Sequence, residues 1–123
     1  YTKAPAGLPL VQHALLSLFE HYHRGLFSLE LIVNKTSHAV AKRFQIKDRG
    51  FLREGYWADI TIVDLKQQQL ITNDTVLYKC GWTPFEGMTF GSTITHTLVN
   101  GELVYSDGEV HRAGLGVKLD FER

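Results

Sequence analysis

The spacing of apolar residues changes once along this chain, from three and four to two, and that change limits what it can fold into. Residues 9–24, PLVQHALLSLFEHYHR, place Val11, Ala14, Leu15, Leu18, Phe19 and Tyr22 on one helical face. Pro9 suits a first helical position, where its missing N–H loses nothing, and Gly25 suits the stop. A second helix is predicted over 28–44, with Ser28 as its N-cap and Leu29, Ile32, Val33, Val40, Ala41 and Phe44 as its stripe.

Beyond KDRG the period is two. DITIVDL, residues 59–65, reads as a β-branched strand, and GFLREG before it as a short strand or turn. Asn100-Gly101 and Asp107-Gly108 are preferred type I′ pairs, so residues 93–112 are predicted to form a three-stranded meander. Between the strands lie a polar KQQQ turn, the segment NDTVLYK and the aromatic loop KCGWTPFEG at 79–87. That loop fits neither period, so it either packs against something or binds something.

Two helices followed only by strands leave the helical faces without the flanking sheet an α/β protein supplies. The chain also opens on YTKAPAGLPL, without an initiator Met or a signal-peptide pattern. The expectation is a piece of a longer protein. Its 123 residues suffice for one ordinary domain, and the 44% hydrophobic and 21% charged content is that of a globular chain. Thirteen basic and 13 acidic residues balance to zero net charge, which offers no field for nucleic acid or an anionic membrane. No run of about 18 apolar residues offers a membrane span. The lone Cys80 excludes an internal disulfide and fits a reducing cytoplasm.

Few residues invite chemistry. His21 and His23 would chelate from a strand, but on a helix they stand about 200° apart at 100° per residue, with Tyr22 turned inward between them. His13 and His38 sit singly on helices, and His96 and His111 singly on strands. Asp59 and Asp64 bracket a strand, and Asp59 reads as a cap of the turn before it. Cys80 has Lys79 beside it but no local catalytic histidine signature, so it reads as a small hydrophobe. APAGLP at 4–9 leads directly into a helix start, where free N–H groups favour an anionic or carbonyl ligand; the plainer alternative is a tight connection.

Together these pieces resemble the C-terminal part of a dihydroorotase, in the cyclic-amidohydrolase superfamily. APAGLPLVQHALL resembles the loop and helix after the eighth barrel strand, and SLELIVNKTSHAVAKRFQI the penultimate helix. GFLREGYWADITIVDL is similar to a segment shared across the superfamily, and YKCGWTPFEGMTFGSTITHTLVNGELVY to the more specific dihydroorotase tail. SHAV at 37–40 departs from the Asn-Pro of many relatives, which bears on a helix kink.

The resemblance implies an α/β fragment: last helices of a (β/α)8 barrel at 1–49, then strands of a composite β-sandwich at 50–123, with loop 79–87 packed on the barrel. It implies reversible cyclisation of N-carbamoyl-L-aspartate to dihydroorotate in pyrimidine biosynthesis, by a zinc hydrolase whose metal activates a hydroxide. The zinc ligands of such proteins lie upstream of this chain, so no catalytic or metal residue is expected here and the chain alone is expected inactive. Ala6 and Gly7 match positions whose backbone contacts the substrate's ring amide. Trp82 and Phe85 would then anchor packing. A cytoplasmic homo-oligomer is implied, with a small-molecule substrate and aspartate transcarbamoylase as a candidate partner. Alternatives are an allantoinase or hydantoinase, a non-catalytic dihydroorotase-like subunit of aspartate transcarbamoylase, and a free-standing α+β binding module.

Overall fold

Helices precede strands in the computed structural model, which describes residues 7–122. Helix α1 spans Ala14–His23 and starts later than the predicted residue 9. His13 is its N-cap without a capping side chain, and its N–H closes a turn onto the Leu10 carbonyl at 3.0 Å. The residues before it are spent on tertiary contacts instead: Gln12 Nε2 donates to the Thr75 carbonyl at 2.9 Å, and Gln12 Oε1 accepts from Leu77 N at 2.8 Å. The buried face is also rotated from the expected one. Leu16 and Phe19 are buried, whereas Val11 is 93% exposed.

The second predicted helix runs as α2 (Leu29–Val33), a π-helical turn (Asn34–His38) and α3 (Ala39–Phe44). Ser28 caps it as expected, its Oγ accepting from Leu31 N at 3.2 Å. Gln45 closes it in the left-handed conformation, at φ 55°. Ile32 and Ala41 are buried, while Leu31, Val33, Val40 and Phe44 stay exposed. Gly50 lies against this helix at φ +80°, with its carbonyl accepting from Ser37 Oγ at 2.9 Å.

Strands β1 (Ile60–Asp64), β4 (Thr93–Val99), β5 (Glu102–Ser106) and β6 (Glu109–Val110) form an antiparallel sheet in the order β1-β4-β5-β6. Asn100 and Gly101 both have positive φ, 54° and 86°, as do Asp107 and Gly108 at 53° and 87°, which is the type I′ signature. GFLREG is a turn, with Tyr56 N bonded to the Arg53 carbonyl at 3.1 Å. The polar turn after β1 is closed by Asp64, whose Oδ1 accepts from Lys66 N and Gln67 N at 2.8 and 3.2 Å. A second, two-stranded sheet pairs β2 (Gln69–Leu70) with β3 (Thr89–Phe90) across the segment that holds the aromatic loop. The core joins α1, α2 and this small sheet: Leu16, Phe19, Ile32, Ile71 and Phe90, with Phe85, Val63 and Ile94 packed on it.

Arg49 ties three regions together. It pairs with Asp59, donates to Asn100 Oδ1 at 2.7 Å and lies 5.1 Å from the Trp57 ring centroid. Asp59 also accepts from Asn100 N at 2.9 Å, so this carboxylate secures the start of β1 to the hairpin turn.

Candidate functional site

Gly7 is exposed with φ +99°, and a Cβ built on it would meet nothing within 4 Å among the described residues. Such a φ suits glycine by itself. Ala6, its companion in the expected substrate contact, lies outside the described residues. Residues 7–10 run without regular structure into the turn that closes on His13.

His13 is where this segment becomes fixed. It is 1% exposed, and its ring meets those of Tyr78, Phe85 and Phe90 edge-on at centroid distances of 6.4, 5.8 and 6.4 Å. Its Nδ1 lies 3.3 Å from Thr83 Oγ1. Thr83 is itself buried, its hydroxyl oxygen accepting from Phe85 N at 3.2 Å and its N–H donating to Asn73 Oδ1 at 2.8 Å. Burial lowers the imidazole pKa from its usual 6.5, since the charged form loses its hydration.

The sequence had shown His13 only as a single histidine on a helix. The signal was its register: His13, Leu16, Glu20 and His23 recur at three- and four-residue steps on one face. That face meets the second half of the chain throughout. Glu20 Oε1 accepts from Gly91 N at 2.7 Å, and His23 Nε2 lies 2.8 Å from Ser92 Oγ. Gly91 is needed there, because a Cβ would stand 2.9 Å from the His23 ring.

The aromatic loop answers through Thr83 and Phe85. The Phe85 ring packs on Phe90 at 5.1 Å, while Trp82 remains 43% exposed. Of the two expected anchors, Phe85 performs that part within this chain. A cleft of about 460 Å³ opens beside His13, lined by Gln12, Asp74, Thr97 and Tyr105 among others.

No described group of three or more His, Cys, Asp or Glu residues could hold a metal ion. The histidines are dispersed: His21 lies against Phe27, His23 meets Ser92, His38 stacks on Phe51, His96 contacts Thr95 and His111 contacts Ser106. The described residues therefore do not fit a zinc centre of their own. Cys80 is a free, exposed thiol.

The model of the amidohydrolase family matches residues 8–104. The dihydroorotase of Pyrococcus abyssi is 36% identical over 108 residues, which is 88% of this chain and 26% of that protein. The allantoinase of Desulfitobacterium hafniense is 32% identical over 114 residues, 92% of this chain and 25% of the relative. Among solved structures, the L-hydantoinase (dihydropyrimidinase) from Arthrobacter aurescens superposes with a TM-score of 0.79 at 28% identity, over 89% of this chain and 25% of that one. The chain thus spans about a quarter of the length of these relatives. No described helix is long and apolar enough to cross a membrane. The match over residues 8–104, together with this structural likeness, means that the chain belongs to the amidohydrolase family.

Proposed function

We propose that the chain is the C-terminal quarter of a dihydroorotase-like cyclic amidohydrolase, which interconverts dihydroorotate and N-carbamoyl-L-aspartate in pyrimidine biosynthesis. The observation that carries this reading is the 36% identity to the P. abyssi dihydroorotase over 88% of the chain. In this reading residues 1–49 are the last helices of a (β/α)8 barrel. Residues 50–123 are strands of the composite sandwich, with loop 79–87 packed on the barrel.

The part of this chain in the reaction is to present backbone. Ala6 and Gly7 contact the ring amide of the substrate, and the missing side chain of Gly7 lets the main chain approach closely. Zinc is held by residues outside this chain, so these 123 residues alone are inactive. The complete protein is a cytoplasmic homo-oligomer, with aspartate transcarbamoylase as a candidate partner.

A second reading, an allantoinase or hydantoinase, is favoured by the D. hafniense allantoinase at 32% identity and by the hydantoinase fold likeness. The full-length protein, assayed on dihydroorotate, allantoin and hydantoin, separates the two. Highest kcat/KM on dihydroorotate supports the first reading. Preference for allantoin or hydantoin replaces it with the second.

A further inference from the structure

We propose that His13 is a positioning residue: as a neutral imidazole wedged under Thr83 and Phe85, it couples the aromatic loop to the first turn before α1, and so holds the 7–9 segment in place. The proposal rests on the reading of Gly7 as a substrate contact. Its own support is geometric. Three observations converge on the few residues that link the 7–9 segment to the helix.

The first is the clamp itself. Gln12 is held from outside by Thr75 and Leu77, at 2.9 and 2.8 Å, and His13 by Thr83. Neighbouring residues are thereby fastened to two separate stretches of the second half of the chain. The second is the absence of a local cap: α1 has no side-chain N-cap, so the turn Leu10–His13 depends on these distant partners for its position.

The third is the hydrogen-bond chemistry of Thr83. Its oxygen already accepts from Phe85 N, so the hydroxyl proton of this buried residue is best satisfied by donating to a lone pair on His13 Nδ1. Only the neutral imidazole offers that lone pair. Protonation turns Nδ1 into a donor, so the Thr83 hydroxyl must turn its proton away, and it places a charge at a site 1% exposed among three aromatic rings.

The titratable groups around His13 do not offset such a charge with a close carboxylate. The Tyr78 ring stands 6.4 Å from it, with a hydroxyl that has no hydrogen-bond partner among the described residues, and Asp74 shares the cleft. Glu20 and His23 on the same helix face are engaged with Gly91 and Ser92. On the loop, Lys79, Cys80 and Glu86 are exposed. Burial lowers the His13 pKa below 6.5, so the stabilisation given by the neutral form is complete above that value. It is lost as pH falls from there through the lowered folded value.

The test is hydrogen exchange of the full-length protein, corrected for intrinsic rates, from about pH 7.5 to about pH 5.5, with KM and kcat measured on whichever cyclic amide it turns over. Segments 7–13 and 78–87 are expected to lose protection together as pH falls, with KM rising several-fold while kcat changes little. In His13→Asn, which keeps a polar group near Nδ1 but cannot titrate there, that pH dependence is expected to vanish. Protection that is independent of pH in the wild-type protein overturns the proposal. So does loosening of 78–87 while 7–13 and KM stay unchanged, which would leave His13 a structural role alone. The exchange result does not depend on which amide is the substrate, so failure of the dihydroorotase reading is seen separately, in the substrate panel.

Discussion

Gly7 holds φ at +99°, where any L side chain is strained even in open space. Replacing it by Ala or by Val is therefore expected to cost about 1–3 kcal/mol of stability in the full-length protein, read by chemical denaturation. If the backbone also touches substrate, Gly7→Val loses further catalytic efficiency per folded molecule, on the order of a hundredfold for a displacement near 1 Å. Normal turnover by folded Gly7→Val would remove this segment from the reaction. Phe85 and Trp82 make a second contrast. Phe85 packs on Phe90 and His13 and is half-buried, so Phe85→Ala is expected to cost about 2–4 kcal/mol. Trp82→Ala, at a site 43% exposed in this chain, is expected to cost less than about 1 kcal/mol. A larger cost at Trp82 in the full-length protein would mean that the rest of the molecule covers it.

Elements are fastened here by small residues as much as by large ones. Gly50 sits beneath α3 so closely that a Cβ would stand 2.5 Å from Ala41 Cβ, at a φ of +80°. Gly50→Ala is therefore expected to destabilise by about 2–4 kcal/mol, from backbone strain and overpacking together. Ala41→Gly alone costs about 1 kcal/mol of helix propensity. Combined with Gly50→Ala it removes the collision, so the double variant is expected to be more stable than the sum of the two single effects. Thermal or urea melting of the four proteins measures that coupling, and simple additivity would deny the collision. The helix from 29 to 44 was legible from its stripe and from Ser28, because both signals are local. Its π-helical turn at Asn34–His38 was not, because nothing in NKTSH marks a widened turn locally.

At the scale of the molecule, the histidines are distributed rather than gathered, and His23 is spent on Ser92 beside Gly91. If the full-length protein is the zinc hydrolase proposed above, the double variant His21→Ala/His23→Ala is expected to leave its zinc content unchanged, as read by elemental analysis. Loss of stoichiometric zinc would place the centre on α1 and contradict the dispersed arrangement. Helix α1 and the turn before it meet the β2–β3 region through both apolar and polar groups: Leu16 and Phe19 fill the core, and Gln12, Glu20 and His23 hold backbone or hydroxyl groups far along the chain. Such long-range polar contacts fix the helix's position as well as its burial.

The sequence by itself determined what depends on neighbours within a few residues. The apolar spacings placed both helices and β1, Ser28 placed a cap, and Asn100-Gly101 with Asp107-Gly108 placed two type I′ turns and hence the meander. The quoted segments also carried the amidohydrolase resemblance, which the family match over residues 8–104 bears out. Tertiary structure alone decided the start of α1, because Gln12 and His13 bond to residues more than 60 positions away and no local cap competes. It decided which face of α1 is buried, turning Leu16 in and Val11 out, and it divided the aromatic loop between a packed Phe85 and a half-exposed Trp82. It also buried His13 against Thr83, Phe85 and Phe90. Periodicity shows which side of an element is apolar, but a contact across the chain depends on where the other partner comes to rest.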